Sequence, residues 1–251
     1  MSCRRISGMA ALVLACGIAG VAQAQVYDPL EPVNRVIFNV NDALDRAIVR
    51  PVAQVYVDVV PRLVRTGVSN VFGNISDAFS AVNNLLQGKP EAASRDLVRF
   101  GTNSLFGIFG LFDVATEMGI DHQYEDFGQT LGHWGVGAGA YLVLPLLGPS
   151  TVRDTAALPL DVSVSPSLLV NGATQKVSVY SLQLVNKRAG LLNASRVLDD
   201  IALDKYTFVR DAYLQRRRSL VLDGDEPPAA ADAAASPLPL APPAAASQPA
   251  R

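Results

Sequence analysis

Residues 125–154 read EDFGQTLGHWGVGAGAYLVLPLLGPSTVRD, and the kind of body this chain folds into depends on how that stretch is read. Gly132, Gly135, Gly137 and Gly139 lead into the apolar run Tyr141-Leu142-Val143-Leu144, which stops at Pro145. A helix crossing a bilayer needs about 18 or more consecutive apolar residues, and glycine and proline interrupt this segment well short of that. The same holds for GTNSLFGIFGLFDVATEMG (101–119), whose leucines and phenylalanines are spaced by Gly101, Gly107 and Gly110. Apolar bulk on glycine-jointed, non-spanning segments suits partial immersion in one leaflet or the wall of a lipid-accommodating cavity. A buried core hairpin is the competing reading.

Outward from this stretch, helix signals dominate. From Glu31, the residues Val33, Val36, Ile37, Val40, Leu44, Ala47 and Ile48 recur at spacings of three and four, the pattern of a helix with one apolar face. Pro51 is expected to limit it. PVAQVYVDVVP (51–61) fits a helix opened by proline, and its valines fit a strand equally. Ser76-Asp77 before AFSAVNNLLQ and Gly88 predicts a helix with a polar start and a glycine stop, and Pro90 opens another. Thr174–Arg188 and Asn193–Leu222 complete the helical set. In the second of these, Arg216, Arg217 and Arg218 either complement the negative end of the helix dipole or touch lipid phosphates.

The two ends are of other kinds. Met1–Ala24 carries Arg4 and Arg5 ahead of an uncharged apolar stretch and reads as an export signal. Ala22-Gln23-Ala24 is a small-x-small processing site that would leave Gln25 as the first residue, whereas Val13-Leu14-Ala15-Cys16 resembles a bacterial lipobox in which Cys16 is acylated. Cys3 and Cys16 are the only cysteines, so the body can form no internal disulfide or thiolate metal site. Residues 223–251 are rich in alanine and proline, a composition with no periodic apolar face to bury and expected to be disordered. The folded body is therefore expected over 25–222.

Across its 251 residues the chain is 49% hydrophobic and 18% charged, with a mean hydropathy of +0.23. Lys and Arg number 21 against 23 Asp and Glu, so no excess of cations marks a nucleic-acid binder. Catalytic motifs are missing: His122 and His133 are the only histidines, no H-E-x-x-H or G-x-S-x-G occurs, and Gly135-Val136-Gly137-Ala138-Gly139 departs from the dinucleotide-binding fingerprint. Charged or polar residues in apolar surroundings, Asn34-Arg35, Arg99, Asp113, Glu125-Asp126 and Arg153-Asp154, are either structural pairs or a polar track for a lipid headgroup.

DPLEPVNRVIFNVND (28–42), IVRPVAQVY (48–56), NLLQG (84–88), RFGTNSLFGIFGLFDVA (99–115), the 125–154 block and AYLQRR (212–217) together resemble the MlaA family, also called VacJ, of outer-membrane phospholipid-transport lipoproteins. The resemblance implies a mainly α fold: a ring-shaped helical bundle with a central amphipathic channel and a short glycine-rich hairpin. It implies a location in the inner leaflet of the outer membrane, beside a trimeric porin. The implied activity is the transfer of misplaced glycerophospholipids from the outer leaflet to a soluble periplasmic carrier, with no cofactor, no metal and no catalytic residue.

Gly135, Gly137, Gly139, Leu142, Leu144, Pro145 and Leu147 would then form the channel hairpin. Phe38, Asn39, Val40 and Asn41 would hold a leak closed, and Asn34, Arg35, Asp113, Arg153 and Asp154 would form the polar track. Cys16 would carry the lipid. A membrane-bound phospholipase using His122 or His133, or a passive envelope scaffold, are the alternatives.

Overall fold

The computed structural model describes residues 28–163 and 170–225; Cys16, both signal-processing sites and nearly all of the Pro/Ala-rich segment lie outside the described residues. The chain is mainly helical, with one short hairpin. Helix α1 (Glu31–Leu44) runs through a π-helical turn (Asp45–Val49) into α2 (Arg50–Val59). Pro51 was expected to end the first helix, yet the helical path continues. A proline ring clashes with the carbonyl four residues before it, and the widened turn, in which Arg50 N–H reaches back to the Asp45 carbonyl, lets the chain pass Pro51 without that clash. The 51–61 run is thereby helical and not a strand. It stops because Val60, preceding Pro61, is extended.

Helix α3 (Arg62–Leu86) starts well before the expected Ser76 and pairs with α4 (Pro90–Leu105). Gly88 at φ +75° makes the turn between them, and Ala81, Ala92 and Ala93 are buried, which lets the two helices approach closely. A tight knob follows at 106–112 before α5 (Val114–Glu117). Ile108 and Phe109 both sit at positive φ, near +55°, an uncommon state for bulky side chains. Five backbone bonds hold it, among them Gly110 N–H to the Asn103 carbonyl at 2.8 Å.

Helix α6 (Phe127–His133) leads to the hairpin of β1 (Tyr141–Leu144) and β2 (Gly148–Thr151), antiparallel with Tyr141 opposite Thr151. Helices α7 (Val152–Ser163), α8 (Ala173–Gly190), α9 (Leu192–Ile201) and α10 (Lys205–Val221) complete the fold. The single helix expected over 193–222 is broken: Asp204 caps a new helix by accepting from Tyr206 N–H and Thr207 N–H.

Burial is inverted relative to a water-soluble domain. Among the described residues, 10 hydrophobic side chains are buried against 17 polar or charged ones, whereas soluble interiors are mostly apolar. In α1 the buried residue is Asn34, while Val33, Val36 and Val40 are exposed. Their stripe continues through Ile48, Val52, Val55 and Val59 of the next turns. The apolar cluster that does exist joins the hairpin to α1 and α10: Tyr141, Val143 and Tyr206, flanked by Ile37, Phe38, Tyr213 and Leu214. Phe38 and Tyr141 each meet the Tyr206 ring edge-on.

Candidate functional site

A cavity of about 670 Å³ opens between α3, α8 and α10. The wall from α3 carries Ser69, Phe72, Gly73, Ser76, Phe79 and Asn83, and that from α8 carries Gln183, Asn186, Lys187 and Gly190. Both sets recur at three- and four-residue intervals, so each is one face of its helix. His122, Tyr124, Glu125, Asp126, Asp161 and Arg216 close the remaining sides. Gly73 and Gly190 leave open space where a side chain would project. The surface is amphipathic: phenylalanine rings alternate with amide, hydroxyl and ionic groups. The sequence signal for this site, small and polar residues sharing a helix face with Phe72 and Phe79, was present but was not singled out.

Charged networks lock the walls. Arg217 reaches Asp126 at 2.6 and 2.9 Å and Asp154 at 2.8 and 2.9 Å, and Tyr213 donates to Asp154 at 2.9 Å. Burial would raise the Asp154 pKa, but Arg217 and Tyr213 outweigh it and hold this carboxyl below its ordinary value. Burial likewise works against the Arg217 charge, and the two aspartates more than compensate, so its pKa is raised. Arg217 is thus neither a freely solvated helix end nor a lipid-phosphate contact; its neighbours Arg216 and Arg218 remain exposed. Asp161 accepts from Phe127 N–H at 2.9 Å, and burial pushes its pKa up to about 6.

The expected polar-track residues occupy separate networks. Arg35 pairs with Glu31 and Asp204. Asp113 binds Arg99, which also reaches the fully buried Asp77. Arg153 and Asp154 join Arg217. Asn34 donates to the Tyr141 carbonyl at 3.0 Å and accepts from Val143 N–H at 2.9 Å, so it pairs with β1 as a neighbouring strand would. Seven residues on, Asn41 donates to the Leu144 carbonyl and accepts from Leu146 N–H, both at 2.9 Å.

The expected hairpin residues thereby meet the expected closing region. Of the latter, Phe38 packs on Tyr206, whereas Asn39 and Val40 are exposed. In the hairpin, Tyr141 and Val143 are buried, Leu142 and Leu144 half-buried, and Pro145, Leu146 and Leu147 exposed at the tip. The buried-hairpin reading therefore holds for the strands and fails at the turn. Gly135, Gly137 and Gly139 are exposed ahead of it. Gly139, at φ +71°, would place a Cβ 2.9 Å from Val152, whereas Gly137 has free space.

His122 pairs through Nδ1 with Asp77. The two serines that line the cavity are engaged elsewhere: Ser76 donates to the Phe72 carbonyl at 3.0 Å, and Ser69 accepts from Asn186 at 2.8 Å. Neither serine is therefore hydrogen-bonded to an imidazole there, as activation of a nucleophile by a histidine base requires. His133 is exposed at the end of α6. No helix among the described residues is long and apolar enough to cross a membrane, and none of their His, Asp and Glu side chains group as a metal site.

Residues 26–220 match the MlaA lipoprotein family. The intermembrane phospholipid transport system lipoprotein MlaA of Shigella flexneri is 36% identical over 231 residues, 89% of this chain and 91% of that relative. The protein of the same description from Escherichia coli (strain K12) is also 36% identical over the same shares. A solved structure described as "Structural basis for maintenance of bacterial outer membrane lipid asymmetry" superposes with a TM-score of 0.69 at 36% identity, covering 78% of this chain and 99% of that one. With a match over this length and this identity to its relatives, the chain belongs to the MlaA lipoprotein family.

Proposed function

We propose that this protein is the outer-membrane lipoprotein of an intermembrane phospholipid transport system. It removes glycerophospholipids from the outer leaflet and passes them to a soluble periplasmic carrier, so maintaining lipid asymmetry. The observation that carries this reading is the inverted architecture: an amphipathic cavity inside a body whose helices turn valine, leucine and phenylalanine outward. Exposed apolar surface on this scale is stable only against acyl chains or a protein partner. The protein lies in the inner leaflet beside a porin trimer, arranged as a ring around the cavity, which serves as the channel.

Transfer requires no bond to be made or broken. Two acyl chains of about 16 carbons, at roughly 0.8 kcal/mol per CH2, oppose passage through water by about 25 kcal/mol. A continuous protein-lined path removes most of that barrier. The polar lining receives the headgroup, which must leave water with its charges compensated. Within this reading the hairpin controls passage, and Asn41 on the closing segment holds it by bracketing its tip.

The decisive experiment replaces Gly73 with tryptophan. The site is helical and open, so the ring fills the cavity while the backbone stays unstrained. In a deletion strain, wild-type protein is expected to lower the phospholipid that an added phospholipase can reach on the cell surface. Gly73→Trp, present at equal level, is expected not to. Full restoration by Gly73→Trp would place the lipid route elsewhere.

A further inference from the structure

A second cavity of about 220 Å³ adjoins the first, and Ser69, Asn186 and Gly190 line both. Its remaining lining is Arg62, Arg65, Thr66 and Ala189. No carboxylate lines it. Arg62 has no ion-pair partner among the described residues, and Arg65 spends only its Nε, on the Val60 carbonyl at 3.1 Å. Two guanidinium groups in a concavity without an acid favour an anion, because each offers several N–H donors in a planar fork matched to phosphate oxygens. The chamber is about a third of the volume of its neighbour, a size for a headgroup and not for a pair of acyl chains. Lys187 and Arg216, likewise without ion-pair partners among the described residues, line the larger cavity, where Glu125, Asp126 and Asp161 also stand.

A hydrogen-bonded bar separates the two spaces. Tyr56 Oη donates to Asn186 Oδ1 at 3.1 Å, and Asn186 Nδ2 donates to Ser69 Oγ at 2.8 Å. Ser69 is exposed and Asn186 half-buried, so water can replace either bond at small net cost. With the bar open, the chambers form one groove between α3 and α8.

We infer that the Arg62–Arg65 chamber is a binding site for the phosphodiester of a glycerophospholipid, at one mouth of the lipid route, divided from the main cavity by the Tyr56–Asn186–Ser69 bar. This rests on the lipid-path reading of the larger cavity.

The test places a photo-crosslinking amino acid at Ala189, in the small chamber, or at Gly73, in the large one. Purified full-length protein in detergent is then exposed to radiolabelled phosphatidylethanolamine, phosphatidylglycerol or diacylglycerol. Both phospholipids are expected to label both positions, and diacylglycerol is expected to leave Ala189 unlabelled. Arg62→Glu with Arg65→Glu should cut the Ala189 signal about tenfold, the scale of two partly solvated charge-assisted contacts. The lysine pair should restore most of it, with Gly73 still labelled throughout.

Labelling of Ala189 by diacylglycerol, or an unchanged signal in the glutamate pair, would overturn the inference. So would labelling at Gly73 without labelling at Ala189, which leaves the cavity reading standing. Absence of label at Gly73 overturns the cavity reading and this inference together. Loss of the Ala189 signal to inorganic phosphate, at matched ionic strength, would mark a free-phosphate site instead of a lipid one.

Discussion

Asn41 on α1 holds Leu144 at the end of β1: its Nδ2 donates to the Leu144 carbonyl at 2.9 Å while its Oδ1 accepts from Leu146 N–H at the same distance. One carboxamide thus satisfies the backbone on both sides of Pro145, which has no N–H of its own. The tip it holds is otherwise exposed and apolar. Its position depends on these two bonds and on the Asn34 pair two helical turns earlier.

Asn41→Ala should therefore loosen the tip without unfolding the protein. Two partly exposed hydrogen bonds are worth about 1–2 kcal/mol together, or roughly tenfold in local opening. Hydrogen exchange at Leu146 is expected to accelerate accordingly, with Val143 unchanged. Asn34→Ala, which strands buried backbone groups, should instead lower global stability by about 2–4 kcal/mol, seen as a drop in Tm.

Gly107→Ala should prevent accumulation of folded protein. A Cβ there would lie 2.1 Å from the Phe112 carbonyl oxygen and 2.5 Å from that of Asn103. Both are backbone atoms that cannot move aside without unmaking the knob. Gly137→Ala, with open space around it, should behave as wild type in the same expression and melting assay.

Stability should depend on Asp96 in a defined direction. Burial, opposed by the Asn84 hydrogen bond, raises its pKa from 3.8 to about 6. A carboxyl raised on folding binds its proton more tightly in the folded state, so its contribution is fully present below about pH 4 and is lost as pH rises through 6. Asp96→Asn should make the protein more stable than wild type above pH 6, by an amount on the order of 1–3 kcal/mol. The gap should close toward pH 4. Melting curves of the two proteins at pH 4.5, 6 and 7.5 measure this, and parallel curves would contradict it.

The knob should sit among acyl chains. Phe106 is 73% exposed, and Phe109, at positive φ, is 84% exposed. With Trp134, the single native tryptophan, changed to phenylalanine, Phe109→Trp in vesicles is expected to be quenched by lipids brominated along their chains. Quenching only by aqueous iodide would place the knob in water.

Much of the helical content was legible because three-and-four spacing, Pro90, Gly88 and the 125–154 block are local signals. Three boundaries were not, one of them the start of α3 at Arg62, well ahead of Ser76. Pro51 reads as a stop, and only the five-residue π turn Asp45–Val49 just before it shows how the helix passes. Asn193–Leu222 reads as one helix because Asp204, an ordinary polar residue in that run, reveals itself as a cap only through its bonds to Tyr206 and Thr207. The α3 and α8 cavity faces escaped notice because Ser69, Gly73, Asn186 and Gly190 have little hydropathy signal and acquire meaning only once the two helices face one another.

The sequence by itself determined the family, the helical class, the absence of a long uninterrupted apolar span and the lack of standard catalytic motifs, since each is carried by residue type and local spacing. Tertiary structure decided which way the faces point. Periodicity shows that Val33, Val36 and Val40 share a stripe, but a stripe is identical whether it meets a protein core or lipid. Only the docking of Asn34 and Asn41 onto the hairpin, and the closing of Arg217 on Asp126 and Asp154, turned the polar side inward and left the apolar side exposed.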